Sequence, residues 1–246
     1  MNTHPPRILV GCPTHELKSD SIEPFLRGIE QLTYTNFDVL LEDNSPTPMY
    51  SQRIQEWGNH WMKNHPGQLF EIIHTEKPDD SARQRIVHGR NLLRQRVLSK
   101  KYDYFFSLEQ DIIPPTDIIE TLLSRNQKIV SATYLNRKNI PTGYRIEIMA
   151  GYYHNEGEKN KGVFRDYGFN LILPSRLMKV DYTGLGCMLI AREILEKISF
   201  RVETNTPHCD DMLFCMDAQK NGYEIYLDTH AWCLHLFNDA FKKTNY

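Results

Sequence analysis

The sequence predicts an α/β protein: a mainly parallel central sheet flanked by helices, with a small antiparallel part near the C-terminal half. Three observations predict it. From residue 7 to residue 134, short apolar runs alternate with stretches of helical spacing, the pattern of parallel strands joined by right-handed crossovers. The apolar run at 104–108 has the length of a buried strand and stops at two carboxylates, Glu109 and Asp111. After Tyr134 the alternation gives way to a polar stretch, 136–168, before regular apolar segments return.

In chain order, Ile8-Leu9-Val10 give a first strand, and Pro13-Thr14-His15-Glu16 its exit loop. Phe25, Ile29 and Leu32 have helical spacing. Residues 38–41 form a second strand ending in acid, Glu42-Asp43-Asn44-Ser45-Pro46. Ile54, Trp57 and Trp61 fit a helix face, and 70–75 a third strand. Asp80 or Ser81 caps a long helix to Lys100, with Ala82, Ile86, Leu93 and Val97 as its buried stripe. After the 104–108 strand, Pro114-Pro115 ends pairing, because proline has no N–H to donate. Asp117 with Glu120 reads as a capping box opening a helix at 117–125. A further strand covers 128–134.

The 136–168 stretch, most polar between His154 and Gly162, reads as a loop or hairpin able to act as a flap. Residues 178–182 restore regularity, followed by Thr183-Gly184-Leu185-Gly186 and a strand at 187–190. Ile194, Leu195 and Ile198 suit a short helix. Asp210-Asp211 opens a helix that Gly222 closes. Residues 224–227 and 231–234 read as two late strands, with His235 at the end of the second.

The 246 residues suit one large domain or two small ones, and the sequence has no internal repeat. A net charge of −2 gives no basis for binding nucleic acid by charge. The five cysteines are scattered, odd in number and free of any Cys-x-x-Cys, which argues against a disulfide scaffold or a zinc knuckle. Residues 1–7 hold no apolar signal core, and no run approaches membrane-spanning length. A cytoplasmic protein is expected, with attachment to a membrane surface left open.

These segments together resemble the nucleotide-sugar glycosyltransferases of the GT-A fold, most closely family 2, over about residues 7–235. Residues 8–16 are similar to the family's opening strand and Pro-Thr loop, with His15-Glu16 where Tyr-Asn is usual. Residues 41–45 resemble the second strand ending in the base-binding Asp, here Asp43. Ala82-Arg83 resembles the Ala-Arg-Asn segment, with Gln84 for Asn. Glu109-Gln110-Asp111 stands where the Asp-x-Asp metal motif would, with Glu109 for the first Asp. Thr183 to Gly186, followed by Arg192-Glu193, is similar to the glycine loop and the elements behind it. Asp210-Asp211 matches the Glu-Asp pair of the acceptor side, and His235 the late histidine that often completes the metal site.

The resemblance implies one GT-A domain over residues 1–246, with a nucleotide-binding half at about 1–135 and an acceptor half at about 136–246. It implies a metal-dependent glycosyltransferase moving a sugar from a UDP- or GDP-sugar to an acceptor hydroxyl, with inversion. The acceptor is a glycan or another hydroxyl compound, with no nucleic-acid partner. The chemistry needs a cation to stabilise the departing diphosphate, and Mn²⁺ or Mg²⁺ suits carboxylate ligands. The implied metal ligands are Asp111, Glu109 and His235, imidazole favouring Mn²⁺. The implied donor contacts are Pro13, Thr14, Glu16, Asp43, Arg83, Glu109, Gln110 and Gly184.

The residues themselves leave alternatives beside these roles. Glu109 and Asp111, two apart in an extended segment, would point the same way and converge on one cation, or would be plain turn residues. Asp43 either accepts N–H groups of a nucleobase or serves the turn chemistry of Asp-Asn-Ser-Pro. Arg83 is the one arginine of its helix expected near the donor, and Arg85, Arg90 and Arg94 read as a solvated face. Of Asp210 and Asp211, one caps the helix and the other, Asp211 first, acts as general base. The 183–186 loop either lets backbone approach the sugar or is an ordinary turn, and Tyr153, Tyr182 and Trp232 either stack on sugars or belong to the core. A silent nucleotide- or glycan-binding module remains a rival. So does a sugar-1-phosphate nucleotidylyltransferase, although the first loop lacks the long glycine-rich, basic signature that holds a triphosphate.

Overall fold

The computed structural model describes residues 4–76, 80–154, 163–204 and 208–237. An eight-stranded sheet runs through it in the order β3 (Phe70–His74), β2 (Phe37–Asp43), β1 (Ile8–Thr14), β4 (Tyr104–Leu108), β13 (Cys187–Ala191), β6 (Ile129–Thr133), β14 (Ile225–Trp232) and β11 (Leu177–Val180). β1 to β4 pair in parallel, as do β6 and β14, whereas β13 opposes both its neighbours and β11 opposes β14. Every residue of β2 is buried, as a parallel strand covered on both faces requires. Its polar members are paired: Asp38 accepts from Arg7 Nη2 at 2.6 Å, Tyr102 Oη at 2.7 Å and the Leu69 N–H at 2.7 Å.

Successive strand residues face opposite sides of the sheet, so each strand feeds two cores. Ile8, Val10 and Phe106 pack with Phe25, Ile29 and Trp61 under α1 (Ser19–Glu30), α2 (Met49–Asn64) and α4 (Ile118–Ser124). Leu9 and Phe105 pack on the other face with Leu93, Val97, Leu195 and Phe214 under α3 (Ala82–Ser99), α5 (Arg192–Lys197) and α6 (Asp210–Lys220). α3 starts at a capping box: Ser81 Oγ accepts from Gln84 N at 3.3 Å, and Gln84 Oε1 accepts from Ser81 N at 2.8 Å. Gly222, with φ +79°, ends α6 one residue past its cap at Asn221.

The 136–168 region contains a hairpin, β7 (Leu135–Ile140) and β8 (Gly143–Ile148), and then β9 (Ala150–His154) and β10 (Val163–Asp166). β9 pairs with β10 and with β12 (Tyr182–Thr183) in a three-stranded antiparallel sheet. Residues 155–162, the centre of the expected flap, lie outside the described residues. β5 (Ile112–Ile113) pairs with β15 (Leu234–His235).

Three local expectations are corrected. Asp117 caps α4 in position only, without a side-chain bond to the helix backbone, and Glu120 accepts from Thr33 Oγ1 at 2.8 Å, so the capping box is absent. The first late strand and the start of the second, Ala231-Trp232, are one strand, β14, with a register shift between Asp228 and Trp232, while Leu234 belongs to β15. Of the expected α3 stripe, Leu93 and Val97 are buried, but Ala82 is exposed and Ile86 half-buried, at the open end of the helix. Among the described residues, no helix is long and apolar enough to cross a membrane.

The parallel strands β1, β2 and β4 end at one edge of the sheet, where the loop before the reversed strand β13 also lies. α3 is seated close to that edge by Gly89, where a Cβ would come within 2.2 Å of Glu42 Oε2 and 3.1 Å of Pro13 Cβ. Glu42 has no room to give, being fully buried and held by Thr75 Oγ1 and by Asn44 Nδ2 at 3.1 Å. Gly→Ala in a helix interior ordinarily gains about 1 kcal/mol. Gly89→Ala should instead lose about 1–3 kcal/mol in urea unfolding, by overpacking. A stabilised variant would show that α3 is not seated on Glu42.

Candidate active site

Arg90, on the face of α3 turned to this edge, keeps 2% of its side chain exposed. A buried guanidinium needs matched carboxylates, and three surround it. Nη2 donates to Glu109 Oε1 at 2.5 Å, Nε lies 2.7 Å from Asp210 Oδ2, and Nη2 lies 3.6 Å from Asp211 Oδ1. The Asp210 contact is an ion pair without hydrogen-bond alignment. Nη1 also donates to Ser107 Oγ at 3.2 Å. One residue of α3 thus ties the end of β4 to the first turn of α6.

Neither aspartate caps α6, which corrects the expected division of labour. The cap position is Cys209, no side chain caps it, and both aspartates lie in the first turn. Asp210 is occupied by Arg90 instead. Asp211 keeps 14% of its side chain exposed. Burial, and then the neighbouring Asp210 charge, push its carboxyl up to about 8, against the pull of Arg90 and the Leu185 backbone.

Glu109 and Asp111 part company. The Ile112 N–H bonds to Glu109 O at 2.9 Å, so 109–111 is a turn rather than an extended segment, and the expected convergence of its two carboxylates fails. Glu109 goes to Arg90, and Asp111 goes to Lys18 Nζ at 2.8 Å. His235 Nε2 stands 3.4 Å from the same Asp111 oxygen, Oδ2. The β5–β15 pairing and the bond from Leu236 N to Asp111 O, 2.8 Å, hold these two segments together. Burial disfavours the Asp111 charge, but His235 and Lys18 outweigh it and hold the carboxyl down at about 2. Burial likewise opposes the His235 charge, and Asp111 with the Leu135 carbonyl outweighs it, raising that histidine above its ordinary range.

Among the described residues, no three His, Cys, Asp or Glu side chains form a ready metal cage. The donor set nevertheless fits a divalent cation. Asp111 Oδ1 is buried without a hydrogen-bond partner. His235 Nδ1 lies 2.7 Å from the Leu135 carbonyl, an acceptor, so the proton sits on Nδ1 and Nε2 is the nitrogen turned to Asp111. Glu109, Asp111, Asp210 and Asp211 also outnumber the two permanent cations that pair with them, Arg90 and Lys18.

A cleft of about 130 Å³ opens between the β1 exit loop and the start of α3. Pro13, Thr14, Glu109 and Gln110 line it, together with His15, Lys18, Asn44, Ala82, Arg85, Ile86 and Arg90. Arg83 does not, and is exposed. Glu16 is exposed and contributes its N–H to Ser45 Oγ at 2.9 Å. Gln110 is 1% exposed and acts as a brace, accepting from His15 N at 3.0 Å and donating to Lys18 O at 2.8 Å and to Tyr50 Oη at 2.5 Å.

Asp43 follows its turn reading. It is fully buried, its Oδ1 accepts from Ser45 N at 3.0 Å and Ser45 Oγ at 2.5 Å, and its Oδ2 lies 3.3 Å from His74 Nδ1. No face of it is open to a nucleobase. Gly184 and Gly186 are small because of Tyr134: a Cβ at either would meet its Oη, at 2.1 and 2.7 Å. That buried hydroxyl accepts from Gly186 N at 3.0 Å, so the loop is fitted to protein rather than left bare for a ligand.

A second cavity, about 990 Å³, lies between the β9–β10–β12 sheet and α6. Tyr153, Phe164, Asp166, Asp181, Tyr182 and His208 line it. Tyr182 is 6% exposed and bonded to Asp166, so it is wall; Tyr153, 48% exposed, presents a ring. Trp232 is not among the lining residues. Cys209 and Met212 line this cavity, and Arg90 and Glu109 line the first. Asp210 and Asp211 line neither, but pair with Arg90 of the first and lie in the chain between Cys209 and Met212 of the second. The sequence reading missed Lys18, Arg85 and Arg90. Only the last two had a signal, their helical spacing from Ala82 across Gly89.

No protein-family model and no curated protein sequence matches the chain. Solved structures do. GalNAc-T7, solved with UDP, GalNAc and Mn²⁺, is 11% identical over 96% of this chain and 45% of its own, with a TM-score of 0.66. The mannosyltransferase PcManGT of Pyrobaculum calidifontis, in complex with GDP-Man and Mn²⁺, is 16% identical over 96% of this chain and 59% of its own, TM-score 0.60. S. aureus TarS 1-349 in complex with UDP-GlcNAc is 12% identical over 98% of this chain and 62% of its own, TM-score 0.58. The chain spans from 45% to 62% of the length of these three. The likeness shows the fold: the chain has the GT-A fold.

Asp211 makes stability depend on pH in a defined direction. Its carboxyl titrates near 8 in the folded chain, above the ordinary value of about 4, so folding retains a proton that the unfolded chain releases. Asp211 therefore lowers stability progressively as pH rises from about 4 to about 8. Asp211→Asn should melt higher than the native chain at pH 8, by at least about 1 kcal/mol, and the gain should vanish near pH 4. A variant less stable at pH 8 would show that Asp211 is ionised and well paired.

Proposed function

From the GT-A fold, we propose that the chain is a metal-dependent glycosyltransferase that moves a sugar from a UDP- or GDP-sugar to an acceptor hydroxyl, with inversion. One observation carries the reading: Arg90, which lines a cleft of about 130 Å³, pairs with Asp210 and Asp211, whose neighbours line a larger cavity, and at the same strand end Asp111 and His235 suit a cation. The structures it resembles include ones solved with UDP or GDP-Man and Mn²⁺, which supports donor and metal alike.

The nucleoside occupies the cleft, against Ile86 and Pro13, with the Arg85 guanidinium beside it. Asp111 and His235 would hold Mn²⁺ or Mg²⁺, and the ion would neutralise charge on the departing diphosphate. Asp111 supplies its unpartnered Oδ1 and His235 its Nε2. Arg90 keeps Glu109 and Asp210 in place, leaving Asp211 as the base. Its raised pKa suits it to take a proton from a hydroxyl near neutral pH. The acceptor, a glycan or another hydroxyl compound, enters the larger cavity, whose exposed Tyr153 ring offers a stacking face. The chain works as one domain, with donor half about 1–135 and acceptor half about 136–246. Its five unpaired cysteines suit a reducing compartment such as the cytoplasm.

Two measurements test this reading. In single-turnover assays with UDP- and GDP-sugars, Asp211→Asn should lose transfer by at least about a hundredfold and keep donor binding. Full transfer by that variant would remove Asp211 from the chemistry. Donor binding by the native chain with neither transfer nor hydrolysis would make it a binding module. By calorimetry, Arg85→Ala should weaken nucleotide binding by about 1.5–3 kcal/mol, and Arg83→Ala should leave it unchanged. The reverse order would place the nucleotide at Arg83, in the first turn of α3, and away from Arg85.

A further inference from the structure

Lys18 closes the short 3₁₀ turn Glu16–Lys18 that leaves β1. Its backbone is fixed: Lys18 N donates to His15 O at 2.9 Å, and Lys18 O accepts from Ser21 Oγ at 2.7 Å and Gln110 Nε2 at 2.8 Å. From that root the side chain borders the donor cleft and brings Nζ to 2.8 Å from Asp111 Oδ2. It keeps 26% exposure, against 9% for Asp111, so its head has a way back into the cleft. Asp111 Oδ2 is shared with His235, and Oδ1 has no partner. The ammonium thus stands on the oxygen between the histidine and the cleft, where a divalent cation bound to both Asp111 and a diphosphate would be its direct competitor. Two cations on one buried carboxylate repel strongly.

We propose that Lys18 is the internal cation of this site: it holds Asp111 until a divalent cation takes the carboxylate, and then turns to the donor's diphosphate. The proposal rests on the glycosyl-transfer reading and adds a coupling to it. Without a diphosphate, a metal must displace Lys18 with only Glu109, already paired with Arg90, near the ammonium. With one, the freed ammonium gains charge-assisted hydrogen bonds. Metal and diphosphate therefore strengthen each other's binding by the same factor.

The test titrates the full chain with Mn²⁺, following free Mn²⁺ by electron paramagnetic resonance, alone and with UDP or GDP. The native chain should bind Mn²⁺ at least about tenfold more tightly with the matching nucleotide. Lys18→Met should bind Mn²⁺ alone about tenfold more tightly than the native chain and lose most of the nucleotide's enhancement. Lys18→Gln serves the same purpose if the methionine variant does not fold, and Lys18→Arg should keep the native pattern. If the neutral variants bind Mn²⁺ no more tightly while Asp111→Asn abolishes binding, the metal reading stands and the Lys18 proposal is overturned. If Asp111→Asn leaves Mn²⁺ binding unchanged, the metal does not sit at Asp111 and both fall.

Discussion

A guanidinium with 2% of its surface exposed cannot stand alone, and the site is built around the way Arg90 is matched. It reaches Glu109 at the end of β4 and Asp210 at the start of α6, elements 101 residues apart in the chain, from a third element, α3. Removing one partner of such a pair typically costs about 3–5 kcal/mol, because the other is left buried and unpaired. Arg90 does more than stabilise. It takes Glu109 away from Asp111 and Asp210 away from Asp211, leaving Asp111 to Lys18 and His235 and Asp211 with only a longer contact to Arg90. It also borders the smaller cleft, while Cys209 and Met212, the chain neighbours of Asp210 and Asp211, border the larger cavity.

The rest of the edge is braced to the same end. Gln110 joins the β1 exit loop to Tyr50 of α2. Tyr134 fills the space left by Gly184 and Gly186, and the Glu109 N–H bonds back to Gly186 O at 2.9 Å. Asp43, Ser45 and His74 lock the end of β2 to β3. The polar residues nearest the chemistry are therefore mostly scaffolding, and Asp111, His235 and Asp211 are set against it.

Most of the sheet was legible because a buried strand and an amphipathic helix leave different periods in the sequence. β4 was placed residue for residue from its apolar run. β14 was split in two because the polar Asp228-Thr229-His230 interrupts its apolar residues. Asp228 is buried by its ion pair with Arg125 at 2.6 Å, a tertiary partner that no local pattern shows. The same limit applies to the site. That acids and a late histidine gather at one edge could be read from where the strands end. Which acid meets which base could not. Glu109 turned away because of one backbone bond, Arg85 lines the cleft where Arg83 in the first turn of the helix stays exposed, and Lys18 is a lone lysine in a polar loop until the fold sets it on Asp111. Asp43 carried two readings in the sequence, and the burial of its carboxylate decides for the turn.

The central claim is that Asp111 and His235 form the cation site of a nucleotide-sugar cleft. Diffraction from crystals grown with Mn²⁺ and UDP or GDP, recorded at the manganese edge, tests it most directly. The account predicts one strong anomalous peak bonded to Asp111 and His235 Nε2, with the nucleoside between Pro13 and Ile86. A nucleotide bound in the cleft while Asp111 remains paired with Lys18 and the manganese lies elsewhere would contradict it.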